Sequence, residues 1–335
     1  MLVQYIVKRI AMTIPILIAI SILVFIVIQL PPGDYLTTFI RQRESAGNTV
    51  QAEEAEALRR EYGLDKPIYM QYFIWVKNFI IHGNLGRSFS WNQPVATVIG
   101  SKIGATMAIS FLTLIIIWGV AIPIGIYSAT HQYSKGDYIF TFIGFIGQAI
   151  PGFLIALALV YFIFAATGVT MSGLFSQEYI SAPWSVAKFF NMLPRLLMVI
   201  IIIGLANTAG MIRTMRAMML DEISKQYVIT ARAKGVEERK LIYKYPVRMA
   251  INPLISGIGV TLGGLISGET IVSIVLNMPT SGPVLFTALL VQDMFLAGGF
   301  ILLMAIFIIL GTLLSDILLS VMDPRIRLGA RQKHE

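Results

Sequence analysis

The sequence predicts an all-α polytopic membrane protein with six transmembrane helices and an external polar insertion after the first. Three observations carry this expectation. Of 335 residues, 56% are hydrophobic and 13% charged, about half the charged share of a soluble domain, and mean hydropathy is +0.75. Six largely uncharged runs approach the roughly 20 residues needed to cross about 30 Å of hydrocarbon. Basic residues gather at alternate ends of those runs. Cysteine is absent, which excludes disulfides and thiolate metal sites, and His82, His131 and His334 lie too far apart to suggest a histidine-rich one. A net charge of +8 with pI ≈ 9.6 would suggest nucleic acid in a soluble protein. In a membrane protein it reflects basic cytoplasmic loops, so no nucleic-acid partner is expected.

The first run, Ile10 to Leu30, follows Lys8 and Arg9 and ends at Pro31-Pro32-Gly33. Its 21 uncharged residues exceed the roughly 7–15 of a signal-peptide core, and no small-x-small cleavage pattern precedes Pro31. Residues 1–30 are therefore a retained tail and first span, and 31–102 the external insertion. Within the insertion, Gln51 to Tyr62 is rich in helix formers and stops at Gly63. Next comes an aromatic stretch with Tyr69, Tyr72, Phe73, Trp75 and Phe79, the composition of an interfacial helix. It is either a docking surface for an external partner or a cap packed on the bundle.

The transmembrane core covers 103–322. Its spans are Ile103 to Ser128, Tyr138 to about Ala166, Leu196 to Ile212 between Arg195 and Arg213, about Ile251 to Leu276, and Met294 to about Val321. The short 129–137 connection makes the first two of these a tight antiparallel pair. Pro123, Gly125, Pro151, Gly152 and Gly263-Gly264 fall inside spans, where breaks survive beside neighbouring helices or a water-filled pathway; ordinary small-residue packing is the alternative. With both termini inside, 16 of the 26 basic residues are cytoplasmic, including those of the 323–335 tail. Eight of the rest lie in the long insertion beside seven acids, where the positive-inside rule loses force. No internal repeat is visible.

The cytoplasmic loop 213–250 holds nine bases and four acids. Ile223, Tyr227, Val228 and Ala231 keep helical spacing, Gly235 permits a turn, Glu237 and Glu238 suit a second helix start, and Pro246 ends or kinks that helix. A purely solvated basic loop attracted to anionic lipid has no need of Tyr227, Val228, Leu241 and Ile242.

The run YVITARAKG (Tyr227 to Gly235) followed by EERKLIYKYPVRMAINP resembles the cytoplasmic EAA loop of bacterial ABC-importer permeases, in the dipeptide/oligopeptide branch. Similarity extends to PPGD (Pro31 to Asp34), ALRREYGLDKPIYMQYFIW (Ala57 to Trp75), GNLGRS (Gly83 to Ser88), GGLISGET (Gly263 to Thr270) and DPRIR (Asp323 to Arg327). Asn84 stands where an acid is common, and Tyr245-Pro246 replaces His-Ala or His-Val. The resemblance implies the type I permease fold, a second homologous permease, two P-loop ATPase subunits that bind ATP and Mg, and an external solute-binding protein. It places the chain in the bacterial cytoplasmic (inner) membrane and implies import of di- or oligopeptides, with nickel chelates or oligosaccharides as alternatives. The chain has no G-x-x-x-x-G-K-[ST] motif and no Gly-Lys pair at all, so it lacks a phosphate-binding loop and is expected to be neither an enzyme nor a cofactor carrier.

The resemblance makes the helix at about 221–234 a coupling helix docking on an ATPase, with Tyr227, Ala231, Arg232, Ala233, Lys234 and Gly235 its expected contact residues. Small Ala231 and Ala233 would let a partner groove approach; Arg232 and Lys234 would meet acids or lipid phosphates. Glu269 is the one acid deep in an apolar run. Such a charge lines a pathway, or it caps or bends the span near Gly268. Asp316 is expected to anchor the cytoplasmic end. An ion-coupled secondary transporter is the rival class, but one buried acid offers it little; paired acids or a nucleophile–base pair for a membrane enzyme are not evident.

Overall fold

A computed structural model describes residues 2–29, 57, 60, 65–88 and 90–322. The expected helix at 51–62, apart from Ala57 and Arg60, the Pro31-Pro32-Gly33 stop and the tail from Asp323 lie outside the described residues. The chain forms two compact units, 1–9 with 106–279 and 308–335, and 10–105 with 280–307.

Among the described residues, five helices are long and apolar enough to span a membrane, or six if one bent pair counts as a single span. They are α1 (Leu2–Gln29), α3 (Val95–Thr130), the pair α4 (Lys135–Ala149) and α5 (Gly152–Thr167), α6 (Val186–Ile223), α11 (Ile258–Val275) and α13 (Met294–Met322). Between them lie α2 (Ile68–His82), the two-residue strands β1 (Arg87–Ser88) and β2 (Gln93–Pro94), α7 (Gln226–Ala233), α8 (Glu238–Lys244), α9 (Pro246–Ala250), α10 (Asn252–Ser256) and α12 (Ser281–Leu290).

Three expected spans need correction. The run 138–166 is two helices bent by 98°. Pro151 forces Ile150 into an extended conformation (φ −97°, ψ 124°), because a proline ring clashes with a helical residue before it. The span expected from Ile251 begins only at Ile258, after short α9 and α10. The helix that carries the run between Arg195 and Arg213 extends well past both arginines, as 38-residue α6. Pro15, Pro123 and Pro194, by contrast, sit inside continuous helices.

In the first unit, Ile117, Val199, Met215, Met219, Leu262, Leu265 and Leu276 form a core with exposures of 2% or less. Close approach of α3 to α6 requires Gly125, where a Cβ would lie 2.6 Å from that of Met215. Asp137 near the start of α4 meets Arg216 of α6 through two bonds of 3.2 and 3.1 Å, and Ser134 caps α4. Arg9 and Asp316 pair at 3.2 Å, tying the start of α1 to the last turns of α13.

In the second unit, α2 packs on α1. Trp75 is 5% exposed, Tyr72 meets the Phe25 ring edge-on at 5.5 Å, and the Ser21 and Tyr72 hydroxyls lie 2.8 Å apart. The opposite face, with Tyr69, Phe73 and Ile80, is exposed. The aromatic stretch is thus a cap on one side and an open surface on the other. Fully buried Asp293 joins this unit: it accepts from the Ser88 hydroxyl (2.5 Å), the Ser90 hydroxyl and amide (2.6 and 3.1 Å) and the Leu296 amide (3.3 Å).

Candidate functional site: the coupling segment

Helix α6 has 38 residues, about 57 Å at 1.5 Å per residue. That exceeds the roughly 30 Å hydrocarbon thickness, so part of it must stand clear of lipid, and the last turns, with Arg213, Arg216, Asp221 and Glu222, are its most charged part. It stops at Ser224, whose hydroxyl donates to the Asp221 carbonyl at 2.8 Å, and extended Lys225 precedes α7. The helix expected over 221–234 is therefore two helices with a break at Ser224-Lys225.

An isolated eight-residue helix is marginal in water, so α7 depends on packing. Val228 and Leu241 (both 0% exposed) and Ala231 (8%) form a separate small core with Val236, Ile242 and Tyr245 around it. The turn closes this core. Gly235 has φ +76°, its amide donates to the Arg232 carbonyl at 3.0 Å, and the Val236 amide donates to the Ala231 carbonyl at 3.3 Å. This 5→2 and 6→1 pair, with Val236 packed near Ala231, is a Schellman motif, and its left-handed residue is most readily glycine. Pro246 then opens α9 as its first residue. Buried Pro246 and Ala250 seat α9 against the α6 core around Met215 and Met219.

The electrostatics are largely internal. Arg232 holds Glu238 in a fork, Nη2 to Oε1 at 2.7 Å and Nε to Oε2 at 3.0 Å. That bond keeps the Glu238 carboxyl below its ordinary range. Lys225 binds both Glu222 (2.5 Å) and Asp221 (3.1 Å). The Tyr227 hydroxyl donates to the Glu222 carboxylate; partial burial and that bond push the phenol up to about 12.

Six expected contact residues thus fall into three groups. Tyr227, Ala233 and Lys234 are exposed. Arg232 is committed to Glu238, and Gly235 to the turn. Ala231 needs correction as a surface residue, because it points into the segment's own core. Two apolar residues that the sequence reading left out, Ile229 (45% exposed) and Tyr243 (58%), extend the open surface. Glu238 was read only as a helix start; its spacing from Arg232 across a glycine turn was the available signal for pairing.

Glu269 on α11 is 1% exposed, and the Thr106 hydroxyl of α3 lies 3.4 Å from its Oε1. Helix α11 runs unbroken through Gly268-Glu269, so this carboxylate caps no helix end. Thr106, Ser110 and Thr113 of α3 and Ser273 of α11 are likewise buried, a polar line inside an otherwise apolar core.

Helices of membrane length, with a polar segment that folds on its own small core, define a helical membrane protein. The chain belongs to the family described as "Binding-protein-dependent transport system inner membrane component", which matches residues 121–328. The N-terminal component of such transport systems matches residues 1–110. It is therefore a multi-pass inner-membrane ABC-importer permease subunit of the type I fold. Among similar proteins, the oligopeptide transport system permease protein AppB of Bacillus subtilis is 31% identical over 323 residues, covering 96% of this chain and 98% of that one. The dipeptide transport system permease protein DppB of Lactococcus lactis is 29% identical, covering 98% and 100%, and DppB of Escherichia coli K12 is 29% identical, covering 97% and 98%. The MetNI methionine ABC transporter in an inward-facing conformation superposes with a TM-score of 0.49 at 15% identity, over 68% of this chain and 96% of that one.

Proposed function

We propose that this permease imports di- or oligopeptides. It pairs with a second homologous permease, receives cargo from an external solute-binding protein, and is driven by two P-loop ATPase subunits that bind ATP and Mg. Both termini face the cytoplasm, which puts α7 on the ATPase side, as the concentration of basic residues in 213–250 favours. The observation that carries the reading is the coupling segment, a knob with its own core, closed by a Schellman turn and mounted on the end of a helix too long for the bilayer. Tyr227, Ile229, Ala233, Lys234 and Tyr243 offer the contact surface; Arg232, Gly235 and Ala231 hold its shape. The peptide cargo is supported by the names of the relatives. Glu269 faces the cargo pathway once the second permease completes it.

The test is reconstitution of this chain with its second permease, ATPases and binding protein in proteoliposomes. Peptide uptake should require ATP and all partners, and Glu269→Gln should alter uptake while the complex still assembles. Uptake without ATPase subunits would refute the importer reading, and failure of the Glu269→Gln complex to assemble would make that residue structural.

A further inference from the structure

At the end of α6 remote from the coupling segment, the first unit has a half-open cavity of about 790 Å³. Its walls are residues 169–170, 172–178 and Ile180 of the α5–α6 connection, Arg195 of α6, and Asn277 and Pro279 after α11. This is within the size range of small-ligand sites. From Arg195 to the end of α6 is 28 residues, about 42 Å, so the cavity and the coupling segment lie at opposite ends of the helix.

Arg195 is only 4% exposed. Its Nη1 donates to the Asn191 carbonyl at 3.2 Å and its Nη2 to the Thr170 carbonyl at 3.1 Å, while its Nε has no acceptor. Among the described residues no carboxylate lies within ion-pair distance of it. A buried charge served only by neutral carbonyls is costly, and a methionine of similar length could fill the space without that cost. A buried arginine without a carboxylate, beside a cavity, calls for an anion.

The walls are already braced. The Ser176 amide and hydroxyl each bond Asn191, both at 2.9 Å, and the Gly173 amide donates to the Leu276 carbonyl at 2.7 Å. Lys188 donates to the Ala182 carbonyl at 2.6 Å and lies over the rings of Phe175 and Trp184. A braced cavity loses less ordering entropy when a ligand enters. Glu178 also lines it, so the chamber carries both signs of charge, suiting a zwitterion better than a simple anion.

We propose that this cavity receives a peptide on its way into the bundle and that Arg195 binds the peptide's C-terminal carboxylate. The proposal rests on the peptide-import reading above and adds to it a place and a chemical group.

The chain has no cysteine, so Ile180→Cys on the cavity wall can be labelled with a thiol reagent in the assembled complex and read on this chain's own band. Tri-alanine and its C-terminal amide are the probes. The free acid should protect the thiol at a concentration about tenfold or more below that of the amide, the scale of one charged hydrogen bond. Adding Arg195→Gln should abolish that difference. Equal protection by acid and amide, or none by either, overturns the proposal. So does an Arg195→Gln complex that loses its second permease or binding protein while Arg195-containing protein shows no acid preference, which assigns the guanidinium to a partner's carboxylate. If Arg195→Gln does not assemble, the acid–amide comparison in Arg195-containing complex decides alone. ATP-dependent tri-alanine uptake by the same vesicles separates the two readings: uptake with equal protection removes only this site, whereas no uptake and no protection removes both.

Discussion

Exchanging Arg232 and Glu238 tests whether the arginine braces its own segment or waits for a partner's acid. Both side chains are partly exposed, 44% and 55%, so the pair contributes about 0.2–1 kcal/mol. Arg232→Glu removes this and sets two like charges together, a penalty of comparable size. The sum, about 0.4–2 kcal/mol, changes the balance between the closed and opened segment by about 2–30-fold. The Gly235 and Val236 amides are bonded within the turn, so hydrogen exchange at those amides in the purified complex reads the change directly. Arg232→Glu should lose protection by that factor, and adding Glu238→Arg should restore it together with uptake-coupled ATP hydrolysis. In 1 M salt, where the screening length is about 3 Å, the single-variant defect should shrink. Because the Glu238 carboxyl is held below its ordinary 4.5, the pair contributes fully above that pH and is lost as pH falls through the lowered value. A double variant that stays as unprotected as Arg232→Glu would refute the brace. Restored protection with coupling still lost would give Arg232 a partner contact as well.

Three further outcomes follow from the same structure. Leu241→Ala empties the small core under α7 and should destabilise the segment by about 2–5 kcal/mol, seen as faster proteolysis between 224 and 245 with the spanning helices intact. Tyr227 should titrate late: the tyrosinate absorbance difference between wild type and Tyr227→Phe should stay flat through pH 10 and develop near 12, and its bond to Glu222 should stabilise fully below 10 and fade as pH rises through 12. Asp293→Ala leaves the donors at Ser88, Ser90 and Leu296 without their acceptor and should cost about 3 kcal/mol or more, measured as a lower unfolding temperature of the purified complex; an unchanged temperature would contradict the buried network.

Much of the architecture was legible because lipid leaves few options. Runs such as Ile10 to Leu30 and Met294 to Val321 must be helical, since hydrocarbon satisfies no backbone hydrogen bond. The helix–turn–helix form of the 226–250 segment was legible, through Gly235, Pro246 and the apolar spacing of Val228 and Ala231. Its details were not. Both neighbouring turns are helical, so the α6–α7 break at Ser224-Lys225 leaves no trace in periodicity. The partner of Arg232 depends on a left-handed residue folding α8 back.

Composition and pattern alone determined that the chain crosses a membrane repeatedly, carries no phosphate-binding loop and has a basic polar loop at 213–250 with apolar positions at helical spacing, because each is a statement about local sequence and solvent. Only the tertiary structure decided that Pro151 bends a span by 98° while Pro15, Pro123 and Pro194 do not break theirs. It also turned Ala231 inward, brought Ser88 and Ser90 to Asp293, and left Arg195 buried beside a cavity. The reason is shared: what a side chain does in a bundle depends on which helix stands opposite, and the contact is made by residues distant in sequence that no local pattern records.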